Sequence, residues 1–419
     1  MDHFEKVIGY QSIKKELETL VDMMTNGDKY KKLGVNLPSG ILLYGDPGVG
    51  KTLMATCLIQ ASGRQTFTLR KDKPDGDFVK EIKDTFEKAR NAAPSIVFLD
   101  DVDKFANASR HNSNEEEFVT VQACIDECKD SDVFVVATAN DEDDLPRSLT
   151  REGRLGRMIR VHNPQGKDAV EIVKYFLSTK ECVSEVNSED VAKMLNGDSC
   201  AELEAIINEA GIYAGSQNKD KIDMDDLMRG IMRIKFSAPE SVDEVPESVL
   251  RATAYHEAGH TIVAEHLSSG SVGLVSVLAH EGAVKGVTNY YQDDRYWDDK
   301  ANMEYRVIAL LGGKAATELV YGKTDVGATS DIRRAFDIVD RFVDDYCSTS
   351  FDSFARRDST ETLMARKEER VAGEIEKYFA EAKKIIIDNR AFLDALAKEL
   401  VEKKTLVSSD IQRIKESVA

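Results

Sequence analysis

The chain has 419 residues, with 56 Lys or Arg against 75 Asp or Glu, giving a formal charge of −19. So acidic a balance excludes a protein whose main task is to hold nucleic acid, and also a polybasic attachment to anionic membranes. An apolar fraction of 42% supplies ordinary buried cores and rules out a disordered chain, and the length predicts about three domains or two with one large.

Residues 1 to about 163 alternate short apolar runs with helical patterns. Strands are predicted at Ile41–Tyr44, Thr66–Leu69, Ser95–Leu99, Val133–Ala137 and Met158–Val161. This alternation predicts an α/β domain, a parallel sheet with helices on both faces. From Gly166 to about Lys235 the β signal gives way to helical periodicity, as in Ala201–Ala214, which predicts a small helical subdomain over 164–236. Ser237–Ser248 holds two prolines among serines and acids and reads as a linker. Residues 249–419 are predicted to be mainly helical, with a hairpin or small sheet between Val272 and Tyr291. Near the end, Val371, Ile375, Phe379 and Ala382 mark a long amphipathic helix.

No apolar run reaches the ~18 residues of a membrane span, and the first residues lack the basic and apolar regions of a secretory signal. Cys57, Cys124, Cys128, Cys182, Cys200 and Cys347 lie apart and form no CxxC. They read as reduced thiols of a cytoplasmic protein.

Two motifs carry chemistry. Gly45-Asp46-Pro47-Gly48-Val49-Gly50-Lys51-Thr52 fits GxxxxGK[ST] between an apolar strand and a helical stretch. Its glycines let backbone amides wrap phosphate oxygens, Lys51 adds charge at the outer phosphates, and Thr52 can ligate Mg²⁺. The run Ser95–Asp101 ends in two acids. Asp100 is suited to hold Mg²⁺ through water, and Asp101 to activate the attacking water. Asn140 follows the next strand and can orient that water. Arg151, Arg154 and Arg157 recur every three residues and can bring charge to a γ-phosphate.

The second motif is His256-Glu257-Ala258-Gly259-His260, an HExxH within a helical pattern. Spacing i, i+4 puts both imidazoles on one helix face, where they can bind one Zn²⁺, and Glu257 can take a proton from the attacking water. A third ligand is required. His266, His280, Glu318 and Asp331 are candidates. His266 turns off the metal face, while His280 and Glu318 stay open on spacing.

Both motifs, with the collinear segments KKLGVNLPSGILLYGDPGVGKT, AAPSIVFLDD, TREGRLGR, AYHEAGHTIVAEHL and GATSDIRRA, resemble the FtsH family of ATP-dependent zinc metalloproteases, an AAA ATPase fused to an M41 peptidase. The resemblance spans nearly the whole chain. It implies an AAA α/β domain over 1–163, a helical lid over 164–236, a linker over 237–248 and a zinc peptidase domain over 249–419. It implies that Ile8 and Gly9 flank the adenine, and that Asp46, Pro47, Gly48, Val49, Gly50, Lys51, Thr52 and Leu53 hold the nucleotide with Asp100. Asp101 and Asn140 would serve hydrolysis, and Arg151 and Arg154 would reach a neighbouring subunit's nucleotide. His256, His260 and Asp331 would bind zinc, Glu257 would be the general base, and Glu318 would stand behind the ligands. A substrate strand would add to the edge near Gly286–Tyr291. ATP, Mg²⁺ and Zn²⁺ are the implied cofactors, and polypeptide substrates and a homohexamer the implied partners.

Four features depart from the family pattern. The sequence begins directly with the ATPase pattern and shows no membrane anchor of the family's kind, which is read as either a soluble relative or a fragment of an anchored protein. Asp101 stands where Glu is usual, which predicts slow hydrolysis. The pore-loop stretch Arg70–Asp77 has charges and no aromatic. Cys200 replaces a lid glycine. Asp101 and the pore loop leave room for a peptidase whose nucleotide mainly assembles a ring. A remodelling ATPase with little proteolysis is the other alternative, and the intact HExxH speaks against it.

Overall fold

The computed structural model describes residues 3–35, 37–71, 75–106, 115–182, 186–237, 246–278, 286–290, 299–323, 326–347, 349 and 360–418. They form two compact units, Met1–Tyr175 with Gly197–Glu204, and Phe176–Asn196 with Ala205–Ala419.

The first unit is built on five parallel strands, β1 (Gly40–Tyr44), β2 (Gln65–Leu69), β3 (Ser95–Leu99), β4 (Val133–Ala139) and β5 (Arg157–Arg160). Their order is β2-β3-β4-β1-β5. The uninterrupted runs SIVFL and VFVVATA are wholly buried, as interior parallel strands between two helical layers must be. Leu42, Val97, Leu99 and Val135 share a core with Phe78, Ile82 and Phe86, while the intervening Ile41, Leu43, Ile96 and Val136 are equally buried on the other face. The helices are α1 (Gln11–Thr25), α2 (Gly27–Lys31), α3 (Lys51–Ser62), α4 (Asp75–Asn91), α5 (Glu115–Glu127) and α6 (Gly166–Ser178). Helix α3 packs on β1 and β4, and α4 on β2 and β3. With β3, β4 and β1 adjacent and parallel, their C-terminal ends meet at one rim. Ligands bind at that rim in open α/β sheets.

The second unit is mainly helical. It contains α7 (Ser188–Met194), most of α8 (Cys200–Ser216), α9 (Met224–Phe236), α10 (Glu247–Leu267), α11 (Lys300–Tyr321), α12 (Thr329–Val343), α13 (Glu361–Asp388), α14 (Arg390–Lys403) and α15 (Ser408–Ser417). The long amphipathic pattern becomes α13, which buries Val371, Ile375, Tyr378 and Ala382. Helix α10 starts at Glu247, inside the stretch read as linker, of which 238–245 lie outside the described residues. The expected hairpin is present as β6 (Val272–Ser276) and β7 (Val287–Tyr290), paired antiparallel, and β8 (Thr405–Val407) adds on the other side of β6. Sequence periodicity misses β8 because it is three residues between two helices. Its buried side chains and the Ser276–Thr405 hydroxyl bond of 2.8 Å hold it in place.

Every residue of α10 from Ala254 to Glu265 is buried. Buried polar groups need partners. Glu265 meets this by accepting from the amides of Gly270 (2.9 Å) and Val272 (3.2 Å). Tyr255 donates to Asp394 Oδ1 at 3.0 Å, and His256, Glu257 and His260 are the other ionisable groups of this stretch. Among the described residues no helix is long and apolar enough to cross a membrane, and all six cysteines are free thiols.

Candidate nucleotide and metal sites

The glycine-rich loop leaves β1 and turns into α3, with Val49 buried beneath it and Asp46, Pro47 and Gly48 exposed. Gly48 has φ +83°, and a Cβ there would lie 2.9 Å from both Ala201 Cβ and Ser199 Oγ, so only glycine fits against the start of α8. Lys51 Nζ donates to Gly45 O (2.7 Å), Asp46 O (2.8 Å) and Asn140 Oδ1 (3.1 Å). Burial pushes its pKa down, against the opposing pull of Asp101, Asp103 and Asp46. Thr52 Oγ1 donates to Asp100 Oδ1 at 3.3 Å, which sets a hydroxyl beside a carboxylate as a Mg²⁺ site requires.

Thr138, in β4, ties the rim together. Its hydroxyl donates to Asp100 Oδ1 (3.0 Å) and accepts from the Asp101 amide (2.9 Å). Asp101 itself has φ +55°, and its carboxylate takes Lys104 at 2.6 Å. Asn140 is oriented by Asp103 Oδ2, which accepts from both its backbone and its side-chain nitrogen at 3.1 Å. Arg70 comes within 3.2 Å of Asp100. Neither Thr138 nor Asp103 is singled out by the sequence reading. A third acid in Asp100-Asp101-Val102-Asp103 is a usable signal, whereas Thr138 reads as one more strand residue.

At the other end, Gly9 packs on Asp168, whose Oδ1 accepts from the Tyr10 amide at 2.8 Å. Ile8 is half-buried, and Leu53 is exposed on the first turn of α3. Cys200 Sγ lies 3.7 Å from both Val49 O and the Tyr10 hydroxyl, so Cys200 touches the phosphate loop. The three arginines part company. Arg151 is exposed, and Arg157 pairs with Glu16 at 3.0 Å. Arg154 is buried and donates to Asp126 (2.6 and 3.1 Å), Gln122 (2.8 Å) and Ser148 O. Of the pore-loop stretch, residues 72–74 lie outside the described residues.

In the second unit α10 carries His256 and His260, and the first turn of α12 brings Asp331 to them. The Nε2 atoms of the two histidines are 3.1 Å apart, and Asp331 Oδ2 lies 3.3 Å from one and 3.5 Å from the other. A tetrahedron with metal–ligand bonds of about 2.0–2.1 Å has edges of about 3.3–3.4 Å. The donor set and spacing therefore fit Zn²⁺ with one position open. His260 Nδ1 bonds Ala309 O at 2.8 Å, which fixes its tautomer and leaves Nε2 a lone pair for the metal. Burial raises the pKa of Asp331, but its bonds to the two imidazoles outweigh this and hold it below the usual carboxylate range. Gly313 of α11 lies against both rings, and a Cβ there would come within 2.6 Å of His260 Nε2 and 2.7–2.8 Å of His256.

Glu257 is almost fully buried, which pushes its pKa up against the nearby imidazoles. Thr288 of β7 donates to Glu257 Oε2 at 2.7 Å and fixes the carboxylate. No local pattern in the sequence singles out Thr288. These groups line a cleft of about 700 Å³, with Gly286–Tyr290 along one wall. Of the other ligand candidates, His266 is exposed at the end of α10 near Asn389, and His280 lies outside the described residues. Glu318 pairs with Lys314 and with Lys383 (2.9 Å).

Comparison with known proteins matches residues 41–163 to the ATPase family associated with various cellular activities (AAA), and residues 244–414 to peptidase family M41. An ATP-dependent zinc metalloprotease FtsH 2 of Thermoanaerobacter sp. is 30% identical over 98% of this chain and 82% of its own length. ATP-dependent zinc metalloproteases FtsH of Caldicellulosiruptor bescii and Synechococcus sp. are 29% and 30% identical, again over 98% of this chain, and over 71% and 69% of theirs.

Proposed function

Because the chain belongs to the FtsH family of ATP-dependent zinc metalloproteases, we propose the following division of labour among its residues. The ATPase domain over 1–163 and the lid over 164–236 bind and hydrolyse ATP. The peptidase domain over 249–419, joined through 237–248, cleaves the polypeptide delivered to it. Ile8 and Gly9 take the adenine side, Asp46–Leu53 the phosphates, and Thr52 with Asp100 the Mg²⁺ ion. Asn140, aimed by Asp103, orients the attacking water, and Asp101 takes its proton.

His256, His260 and Asp331 hold zinc. When bound, the ion polarises the scissile carbonyl and makes water nucleophilic near neutral pH. Glu257, steadied by Thr288, accepts the proton of the attacking water and passes it to the leaving nitrogen. Strand β7 pairs only with β6 among the described residues, so its outer edge suits an added substrate strand.

The working form is an oligomer acting on protein substrates, and we propose a homohexamer in which arginines act across the subunit boundary. The exposure of Arg151 supports that role for it. Arg154 reaches a neighbour only by leaving Asp126. A cytoplasmic setting accords with six free thiols.

The observation that carries this reading is the close-set His256–His260–Asp331 donor group in a chain that also aims Thr52 at Asp100. A second reading, in which nucleotide chiefly assembles the ring, is favoured by the bond between Asp101 and Lys104. Casein degradation tests both. Loss on chelation and loss with a non-hydrolysable analogue support coupled proteolysis. Loss on chelation alone supports the second reading, and zinc-loaded protein that turns over ATP without cutting casein refutes both.

A further inference from the structure

Beside the metal cleft lies a second cavity of about 570 Å³ between α11 and α12. Tyr290, Leu310 and Arg334 line both, so the two spaces adjoin. Tyr290 stands two residues along β7 from Thr288, which touches Glu257. A substrate strand lying along β7 would therefore bring a side chain next to the scissile bond into this cavity. Arg334 is one turn beyond the ligand Asp331 on α12, and Arg341 is two turns beyond Arg334 on the same face.

The cavity's charge is opposite to that of the chain. Among the described residues Arg306, Arg334 and Arg341 line it against the one carboxylate of Asp337, in a protein of formal charge −19. Among the described residues neither Arg334 nor Arg341 is in an ion pair. Ala309, Leu310 and Ile338, with the rings of Tyr290 and Tyr305, make much of the remaining wall apolar, and a low local dielectric strengthens the field of the guanidiniums. Clustered like charges repel, and an anion entering among them relieves this. The planar guanidinium fork matches a carboxylate. The apolar wall suits the methylene stem that carries it.

We propose that this cavity is a side-chain subsite of the peptidase and that it takes a carboxylate next to the bond being cut. The inference rests on the proteolytic reading of the His256 centre. Two sources offer the same chemistry, the side chain of an internal Glu or Asp and the terminal carboxylate of a polypeptide.

The test uses the full zinc-loaded chain with ATP and internally quenched peptides. These are identical except for Glu, Gln, Leu or Lys at each position flanking the cut, with cleavage points read by mass spectrometry. One set is amidated at the C-terminus, and one ends in a free carboxylate one residue past the cut. The expected result is kcat/KM higher by about tenfold or more for Glu than for isosteric Gln on one side of the bond in the amidated set, the size of a charge-assisted contact. In Arg341→Glu the order reverses, with Lys above Glu. A preference seen only with the free terminus assigns the subsite to chain ends and still supports carboxylate recognition. Cleavage of all amidated and free-ended peptides with Glu equal to Gln overturns the inference and leaves the proteolytic reading standing. No chelator-sensitive cleavage of any peptide overturns both.

Discussion

Asp331 and Thr288 do different work at the metal centre, and single substitutions separate them. In the proposed centre Asp331 would supply one of three donor atoms and a negative charge. Asp331→Ala is expected to lower the zinc content of purified protein well below one per chain by elemental analysis, and full occupancy would move the third ligand elsewhere. Among the described residues Thr288 hydrogen-bonds Glu257 and no member of the His256–His260–Asp331 set, which fits a positioning role. Thr288→Val keeps the shape and removes the donor. We expect full zinc occupancy, unchanged KM and kcat for casein lower by about tenfold, the cost of one hydrogen bond to a charged group. Metal loss in that variant would mean that Thr288 supports the site and not the base.

The metal centre depends on how closely α11 passes α10. A Cβ on Gly259 would stand 2.4 Å from Gly312 O, and one on Gly313 would strike both imidazoles. Gly313→Ala is instructive because alanine favours helix by about 1 kcal/mol over glycine. Circular dichroism should therefore show helix content intact while zinc affinity drops by about tenfold or more, since the rings must turn from their shared focus. Unchanged affinity would show that α11 can withdraw without cost. In the nucleotide unit the corresponding device is strand order. Placing β4 between β3 and β1 lets Asn140 meet Lys51 and lets Thr138 reach Asp100.

For the assembled molecule the question is whether one subunit completes another's ATPase site. Arg151→Ala subunits keep their phosphate loop and lack the arginine, while Lys51→Ala subunits keep the arginine and bind nucleotide poorly. Each alone is expected to fall in ATP turnover by about 10³-fold or more, the usual worth of an arginine supplied to a γ-phosphate. Mixed before assembly, they should recover a measurable part of that activity. No recovery in rings shown to contain both would place the role of Arg151 within its own subunit. The same mixture made with Arg154→Ala shows whether that arginine, bonded internally to Asp126 and Gln122, also acts across the boundary.

The amino-acid order alone determined the parallel sheet, the phosphate loop, the strand-end acids and the paired imidazoles, because each is a local pattern. Apolar runs mark interior strands, GxxxxGK[ST] marks a turn into a helix, and i, i+4 spacing marks one helix face. Spacing by itself could not choose among Asp331, His280 and Glu318. Family resemblance named Asp331, and the docking of α12 puts its carboxylate 3.3 and 3.5 Å from the imidazoles. Only tertiary structure decided that Thr288 holds Glu257, that Asp103 aims Asn140 and that Arg154 turns inward, along with the union of β8 with β6 and the arginine-lined cavity beside the cleft. Each joins residues far apart along the chain, and burial and hydrogen-bond demand, which settle such meetings, exist only once the chain has folded.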